Sequence, residues 1–481
     1  MKKNTIAIFS FLLLTLFSCQ KVLDVKETDF IGGDVALLTV ANNESAIIGA
    51  YAGLNTEQGI LLAATLSDEV RPGDFYNAAT THEWQYGSSD VGLRDNFTAT
   101  SPQYTMADRV NRVLAALPTA TSTPATAPTD PALKLRLRGE ALFLRAFAHF
   151  ELYRFYSNSA VGTDLAMPYM DAVNPTPTTT QKRITVAEYF VKLKADLAEA
   201  KTLVPDNLTD IARATKLAVS GLQARVSLYL KEYANASTFA TEYINGIPLA
   251  PRASFAGIWT DANKLEQAFQ LPRSATQGAR LGSLWRGTGP TTAIGSISWT
   301  PSDKLWNSYN QATDIRFASY LKDEPLLLTQ SRASTRLIAK YAGTGYGTTN
   351  ENVANVKVFR TGEMYLIRAE AKAENADLTG AAADLNALRA ARISGYVDQA
   401  FATKDALITA IMDERFKELP YEGHRFFDLK RRNLPVSRST VDAPNTASQT
   451  LPAGNFRFIM PIPLPEMQAN PAMVQNPGYG N

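Results

Sequence analysis

Aromatic and polar side chains that could bind a ligand lie close together between residues 67 and 86. Arginine and aspartate can each make two hydrogen bonds to neighbouring hydroxyl groups, and the rings of tyrosine and tryptophan offer flat apolar faces. Further tryptophans follow in loop-rich parts of the sequence. A ligand with apolar faces ringed by hydroxyl groups, such as a sugar, suits this combination. The residues predicted to bind it are Arg71, Asp74, Tyr76, Trp84, Trp285, Trp299 and Trp306.

Tryptophan also fills protein cores, so a second interpretation stays open for each of these rings. Trp84 provides a direct test. If its ring binds a ligand, replacing it with alanine weakens binding and leaves thermal unfolding nearly unchanged. If the ring belongs to the core, the same substitution impairs folding.

The sequence contains no arrangement that is typical of an enzyme. The three histidines, His82, His149 and His424, are far apart and lack the spacing of a zinc site. No nucleophile elbow, phosphate-binding loop or dinucleotide fingerprint is present. We therefore predict no catalytic residues, no metal ligands and no cofactor. Two alternatives stay open: a secreted glycan hydrolase, if two carboxylates lie close in space, and a helical scaffold that binds only protein.

The N-terminus has the features of an export signal. Two lysines precede an apolar run from Ile6 to Leu16, and its eleven residues are too few to span a membrane, which takes about 20. The motif LFSC at 16–19 is similar to the lipobox of bacterial lipoproteins, and its cysteine is the only one in the chain. We predict that residues 1–18 are a signal peptide and that Cys19 carries a lipid that anchors the protein to a membrane.

The composition is that of an ordinary globular protein, with 45% hydrophobic and 20% charged residues. The formal net charge of +2 gives no basic surface for a nucleic acid. No linker divides the chain, so residues 19–481 are predicted to form a single domain whose core needs no disulfides.

Helical periodicity dominates the chain, and none of the long segments alternates as a strand would. Thr185 and Glu188 form a capping box before an amphipathic helix that ends at Pro205. The segment 137–156 has apolar residues on most of its helical surface, which predicts a central position.

Two segments, 217–244 and 363–392, have the pattern of a helix, a tight turn and a second helix. Pairs of this size resemble tetratricopeptide units, which bury their faces by stacking on neighbours. We therefore predict a mainly all-α fold in which tetratricopeptide-like helix pairs form a scaffold. Long loop-rich insertions interrupt it, and the largest is 248–301.

Several spaced motifs resemble those of one protein family, the SusD/RagB family of outer-membrane nutrient-binding lipoproteins. They occur in the family's order, and the lipobox precedes them. The resemblance covers most of the chain and is weakest over 250–350. The motifs are GEALFLRAFAHFEL at 139–152, DIR at 314–316, RTGEMYLIRAEA at 360–371, ADLNALR at 383–389, ERFKELPYEGHRFFDLKR at 414–431, PIP at 461–463 and QNPGY at 475–479.

The charged residues of the motif at 414–431 are predicted to have a mainly structural role. They flank a turn at 420–423, so charge-assisted pairs among them can hold the end of a helix. The prolines of the closing segment predict an extended strap across the helices. The four charged residues are Arg415, Glu422, Arg425 and Asp428.

The resemblance implies a non-enzymatic protein that captures a nutrient and delivers it to a SusC-like TonB-dependent transporter. The ligand would be an oligosaccharide or, as in some members, a peptide. The family implies a lipid-anchored position at the cell outer membrane, facing the exterior. Within the single domain, an N-terminal helical part would cover about 36–330 and a C-terminal part with the family motifs about 331–481.

Overall fold

A computed structural model describes residues 36–76, 79–90, 100–157, 160–173, 180–276 and 280–480. The predicted signal peptide and Cys19 lie outside the described residues, so the lipid anchor stays a prediction. Within these ranges, no helix is both long enough and apolar enough to cross a membrane.

Helices make up most of the regular structure of the described residues, which confirms the predicted mainly α-helical fold. In chain order they are α1 (Val40–Ala52), α2 (Glu57–Leu66), α3 (Ala79–His82), α4 (Thr100–Ala116), α5 (Asp130–Tyr156), α6 (Val186–Leu203), α7 (Lys216–Tyr229), α8 (Tyr233–Gly246), α9 (Arg252–Trp259), α10 (Asp303–Ser308), α11 (Ile315–Tyr320), α12 (Leu326–Thr329), α13 (Thr361–Glu374), α14 (Leu378–Arg392), α15 (Lys404–Glu418), α16 (Arg425–Arg431) and α17 (Leu464–Ala469).

Short strands join segments that are far apart in sequence. They are β1 (Val70–Pro72), β2 (Gln267–Leu271), β3 (Trp299–Pro301), β4 (Leu321–Asp323), β5 (Arg336–Ile338), β6 (Val356–Arg360), β7 (Val436–Ser437) and β8 (Thr450–Leu451). All pair antiparallel, β1 with β3, β2 with β6, β4 with β5 and β7 with β8. Strands of two to five residues are too short to show an alternating pattern, which is why the sequence did not predict them.

Helix α5 is central, as its apolar surface predicted. Every residue of α5 after Arg138 is buried, and the helix packs against both α4 and α6. Gly139 allows the end of α6 to come close, since a Cβ atom there would lie 2.8 Å from Cβ of Leu203. The capping box of Thr185 and Glu188 begins α6 as expected.

The two predicted helix pairs are also present, as α7 with α8 and α13 with α14. Helix α8 packs against α13 as well, so the pairs stack on each other as tetratricopeptide units do. A buried ion pair joins them, because Arg225 Nε lies 2.8 Å from Glu363 Oε1 and Arg225 Nη2 lies 2.7 Å from Glu363 Oε2. Gly221 leaves room for the ring of Phe359 in β6.

A buried network of arginines and glutamates holds α15 against the rest of the fold. Glu414 accepts hydrogen bonds from Arg316 and Arg389, and Glu418 accepts them from Arg360 and Arg392. Burial alone would raise the pKa of Glu414, but the positive charges of Arg316, Lys417 and Arg389 lower it to about 2. These carboxylates therefore remain ionised inside the protein.

Of the four charged residues predicted to pair around the turn, two pair with each other: Arg415 Nε lies 2.7 Å from Asp428 Oδ2. The other two bind distant segments, Glu422 to Arg360 and Lys340, and Arg425 to Asp68. In the turn itself, Gly423 has a φ of +83°, a left-handed conformation that favours glycine.

The closing segment lies against the C-terminal end of α5. The backbone N–H of Met460 donates to the carbonyl oxygen of Phe155 at 2.9 Å, and Asn476 Nδ2 donates to that of Tyr156 at 3.0 Å. The prediction of an extended strap is wrong over α17. Proline in the first turn of a helix loses no helical hydrogen bond, so Pro465, the second residue of α17, is compatible with the helix.

Candidate functional site

Three of the seven predicted binding residues line one surface cavity. Arg71 lies in β1, and Asp74 and Tyr76 follow it; together they line a cavity of about 220 Å³. We call this the β1 cavity. Its other lining residues are Pro72, Gly73, Ile297, Thr300, Ala333, Ser334, Val441, Ala443 and Pro444.

The pairing of β1 with β3 positions the wall of the β1 cavity. The ladder continues beyond Pro72, because the N–H of Gly73 donates to the carbonyl oxygen of Ser298 at 2.8 Å and that of Phe75 donates to Ile297 at 2.9 Å. A Cβ atom on Gly73 would lie 2.5 Å from the carbonyl oxygen of Ile297. Only glycine permits this approach, so Gly73 determines where the side chains of the next residues leave the strand.

Arg71 is held in place by a carboxylate at the start of α10. Its Nη1 lies 3.1 Å from Asp303 Oδ1, and its Nε donates to Thr300 Oγ1 at 3.3 Å. Arg336 binds the same oxygen of Asp303. Among the described residues, Arg71 Nη2 makes no hydrogen bond, and the side chain is 23% exposed. A positioned guanidinium with a free donor can bind a hydroxyl or carbonyl oxygen of a ligand.

Tyr76 presents its hydroxyl oxygen as an acceptor. The hydroxyl donates to Glu83 Oε1 at 3.2 Å, and the other carboxylate oxygen of Glu83 accepts from Asn445 Nδ2 at 2.6 Å. Burial and the charge of Glu83 raise the pKa of Tyr76, so the phenol stays neutral. Its ring packs edge-on against Trp299, with centroids 5.4 Å apart.

Phe75 was not among the predicted binding residues, although it lies between two of them. Its side chain is 50% exposed. The guanidinium carbon of Arg332 lies 4.8 Å from the centre of its ring, and Arg332 Nη1 is 3.9 Å from Asp74 Oδ2. The sequence contains a signal that could have identified Phe75: the ring follows a glycine turn and an aspartate, a setting that exposes side chains at a surface.

The expectation that Trp84 presents an exposed ring needs correction. Its side chain is 5% exposed, and its Nε1 donates to the carbonyl oxygen of Leu66 at 3.0 Å. The guanidinium carbon of Arg438 covers the ring at 4.2 Å. Trp84 therefore belongs to the core.

The other three predicted tryptophans are also buried, so none offers an exposed aromatic plane. Trp299 packs between Tyr76 and His82 behind the β1 cavity. Trp306 lies between Phe317 and Arg336, and Trp285 lies next to Tyr421. Trp299 and Trp306 support the wall of the cavity and its charged residues, whereas Trp285 lies among core residues.

The histidines are core residues as well. Burial and the nearby Arg438 lower the pKa of His82 to about 3, and His149 is stacked on Tyr169 with ring centroids 3.9 Å apart. In the part of the chain that the structure describes, no group of three or more metal-binding side chains is close enough to hold an ion.

Two family models match the chain. The model described as the SusD family matches residues 328–479, and the model described as starch-binding associating with outer membrane matches residues 35–228. SusD-like protein P2 of Formosa agariphila is 27% identical to this chain, with 100% of both chains covered.

Solved structures share the fold. A SusD superfamily protein from Bacteroides vulgatus superposes with a TM-score of 0.78 at 23% identity, covering 92% of this chain and 100% of its own. A laminarin-binding SusD-like protein superposes with a TM-score of 0.70 at 20% identity, covering 91% and 99%. At such identities the likeness establishes the architecture, while the ligand depends on the residues of each site.

Proposed function

The chain belongs to the SusD family, and we propose that it captures a glycan at the bacterial outer membrane and delivers it, unaltered, to a TonB-dependent transporter. The name of the second family model supports the membrane location, and the lipobox supports an anchor through Cys19 on the exterior face.

The arrangement of the β1 cavity is the observation that carries the proposal. Arg71, whose Nη2 makes no hydrogen bond with a described residue, and Asp74 line the cavity. The half-exposed ring of Phe75 follows Asp74 in the chain and contacts Arg332 at the edge of this wall. A sugar ring can stack its C–H face on such an aromatic side chain while its hydroxyls bind the neighbouring charged groups. A relative with the same fold binds laminarin, which favours a glycan over the peptide alternative.

Calorimetric titration with laminarin and with starch oligosaccharides tests the proposal. We expect one of them to bind saturably, and Phe75→Ala to weaken that binding about tenfold, or about 1.4 kcal/mol. Val397→Ala is the matched control, because Val397 is also exposed and apolar, at 78% exposure, but has no lining residue of the β1 cavity next to it in the chain, whereas Phe75 lies between two of them. Equal binding by wild type and Phe75→Ala would remove the β1 cavity from the proposal.

Chromatography of the glycan after long incubation separates capture from catalysis. The proposal expects the oligosaccharide to be recovered unchanged. Shortened products would instead support a hydrolase, and saturable binding of peptides without binding of glycans would support the peptide alternative.

Delivery and anchoring need experiments in the cell. We expect wild-type protein to incorporate radiolabelled fatty acid and to co-purify with a TonB-dependent transporter identified by mass spectrometry. Cys19→Ala should lose the label and leave the outer-membrane fraction. Labelling that persists in Cys19→Ala would contradict an anchor at that residue.

A further inference from the structure

A second, larger cavity lies at the C-terminal end of α5 and shares no lining residue with the β1 cavity. Its volume is about 330 Å³, at the small end of the range for ligand pockets. We call it the basic cavity, because the described residues that line it include four cationic side chains and no carboxylate. The cations are Arg154, Lys231, Lys430 and Arg431.

Two of these cations have carboxylate partners behind the cavity wall. Arg431 binds Glu370 and Asp428, with Nη2 to Oε2 at 2.7 Å and Nε to Oδ1 at 2.9 Å. Arg154 Nη2 lies 3.2 Å from Glu151 Oε2. The charge of the cavity therefore depends on the remaining lysines.

Lys430 has no carboxylate partner among the described residues. Its Nζ donates to the carbonyl oxygen of Arg154 at 2.8 Å and makes no ion pair in the described parts of the chain. Burial and the positive charge of Arg154 lower the pKa of Lys430 to about 7. A bound anion would offset the cost of keeping this ammonium charged.

Buried polar atoms in the same wall also lack partners in the described parts of the chain. Arg154 Nε and Tyr229 Oη are buried and make no hydrogen bond with any described residue. Arg154 is 4% exposed and Tyr229 6%. Buried donors without a partner are rare in folded proteins, because each loses its hydrogen bonds to water and gains none in return. Their presence beside an unpaired lysine points to a ligand that accepts hydrogen bonds.

We propose that the basic cavity is a second binding site, which takes a small carboxylate-bearing ligand about the size of one sugar ring. The carboxylate would lie against Lys430, in the wall that Arg154 and Tyr229 also form. The rings of Tyr153 and Phe427 also line the cavity and would contact an apolar face of the ligand. Inorganic phosphate has no such face, so the aromatic lining favours an organic acid.

Titration calorimetry with glucuronate and with glucose tests the site, since the two rings differ in a carboxylate. We expect glucuronate to bind and glucose to bind at least tenfold more weakly. Lys430→Met should weaken glucuronate binding at least tenfold, because it removes the unpaired charge and keeps the length of the side chain. We expect the variant to fold, because methionine is a flexible apolar side chain that can occupy the buried space of the lysine without a polar partner.

Lys134→Met is the matched control. Lys134 lies near the other end of α5, is partly buried and makes no ion pair among the described residues. The Lys134→Met variant should bind glucuronate as wild type does. Phe75→Ala should also bind it normally, which would separate this site from the β1 cavity. The proposal is overturned if glucuronate does not bind, if phosphate alone binds, or if folded Lys430→Met binds glucuronate like wild type.

Discussion

The indole of Trp84 is enclosed by groups from distant parts of the chain, and its backbone has a left-handed φ of +55°. The carbonyl oxygen of Leu66 accepts its N–H, and Arg438 covers its face. A bulky residue in this conformation is uncommon and is held there by its surroundings. Its packing and its hydrogen bond thus both serve stability.

We predict that Trp84→Ala lowers the free energy of unfolding by about 3–5 kcal/mol, because it leaves a cavity and an unpaired carbonyl oxygen. Chemical denaturation measures this loss. Phe75→Ala, at a half-exposed ring, should stay within about 0.5 kcal/mol of wild type. A Trp84→Ala protein of wild-type stability that has lost glycan binding would contradict the core position.

The sequence could predict Arg71, Asp74 and Tyr76 as neighbours because they lie within six positions on one strand and the turn after it. It could not decide between core and surface for the tryptophans. Their burial depends on partners such as Arg438 and Phe317, which only the complete fold brings near. Residue type shows what a side chain can do, whereas exposure depends on tertiary contacts.

Close approach between helices depends on glycine at particular positions. Gly139 lies where α5 meets the end of α6, with Leu203 Cβ 2.8 Å from a Cβ atom built there. Gly49 lies inside α1, where a Cβ atom would meet nothing within 4 Å. The two positions therefore allow the same substitution to be compared in opposite environments.

We predict that Gly139→Ala destabilises the protein by about 1–3 kcal/mol through overpacking. Gly49→Ala should stabilise it by about 0.5–1 kcal/mol, because alanine loses less conformational freedom in a helix. Thermal and chemical unfolding of both variants provide the measurement. Destabilisation of similar size in both would show that packing at Gly139 is not the cause.

The long helices were predictable because burial on one or more faces imposes a period that a single sequence displays. The box of Thr185 and Glu188 even located the first turn of α6. The short strands were not predictable, since the pairing of β1 with β3 joins residues that lie more than 220 positions apart. Helix α17 was missed because the prolines at its start favoured an extended segment. The assignment of the chain to one domain stays a prediction.

The stability of the protein in acid depends on the buried carboxylates of α15. The pKa of Glu414 falls from an ordinary value of 4.5 to about 2 in the fold. The unfolded chain therefore takes up a proton at higher pH than the folded chain does. The stabilisation is complete above about pH 4.5 and is lost as the pH falls towards 2.

We predict that Glu414→Gln lowers the free energy of unfolding at pH 7 by about 3–5 kcal/mol, because it breaks a buried ion-pair network. Its stability should also fall less steeply than that of wild type between pH 4.5 and 2. Denaturation at a series of pH values measures both effects. Glu199→Gln is the control, because Glu199 pairs with Arg138 at an exposed position, and it should change stability by at most about 1 kcal/mol.

The contact between Asp68 and Arg425 connects positions 357 residues apart. During translation, the aspartate has no arginine partner until almost the whole polypeptide has left the ribosome. The first helices therefore cannot reach their final state before residue 425 is available, so the native fold is completed only when nearly the whole chain is present. A chain that stops before residue 425 lacks this closure and leaves the buried carboxylate of Asp68 without its arginine partner.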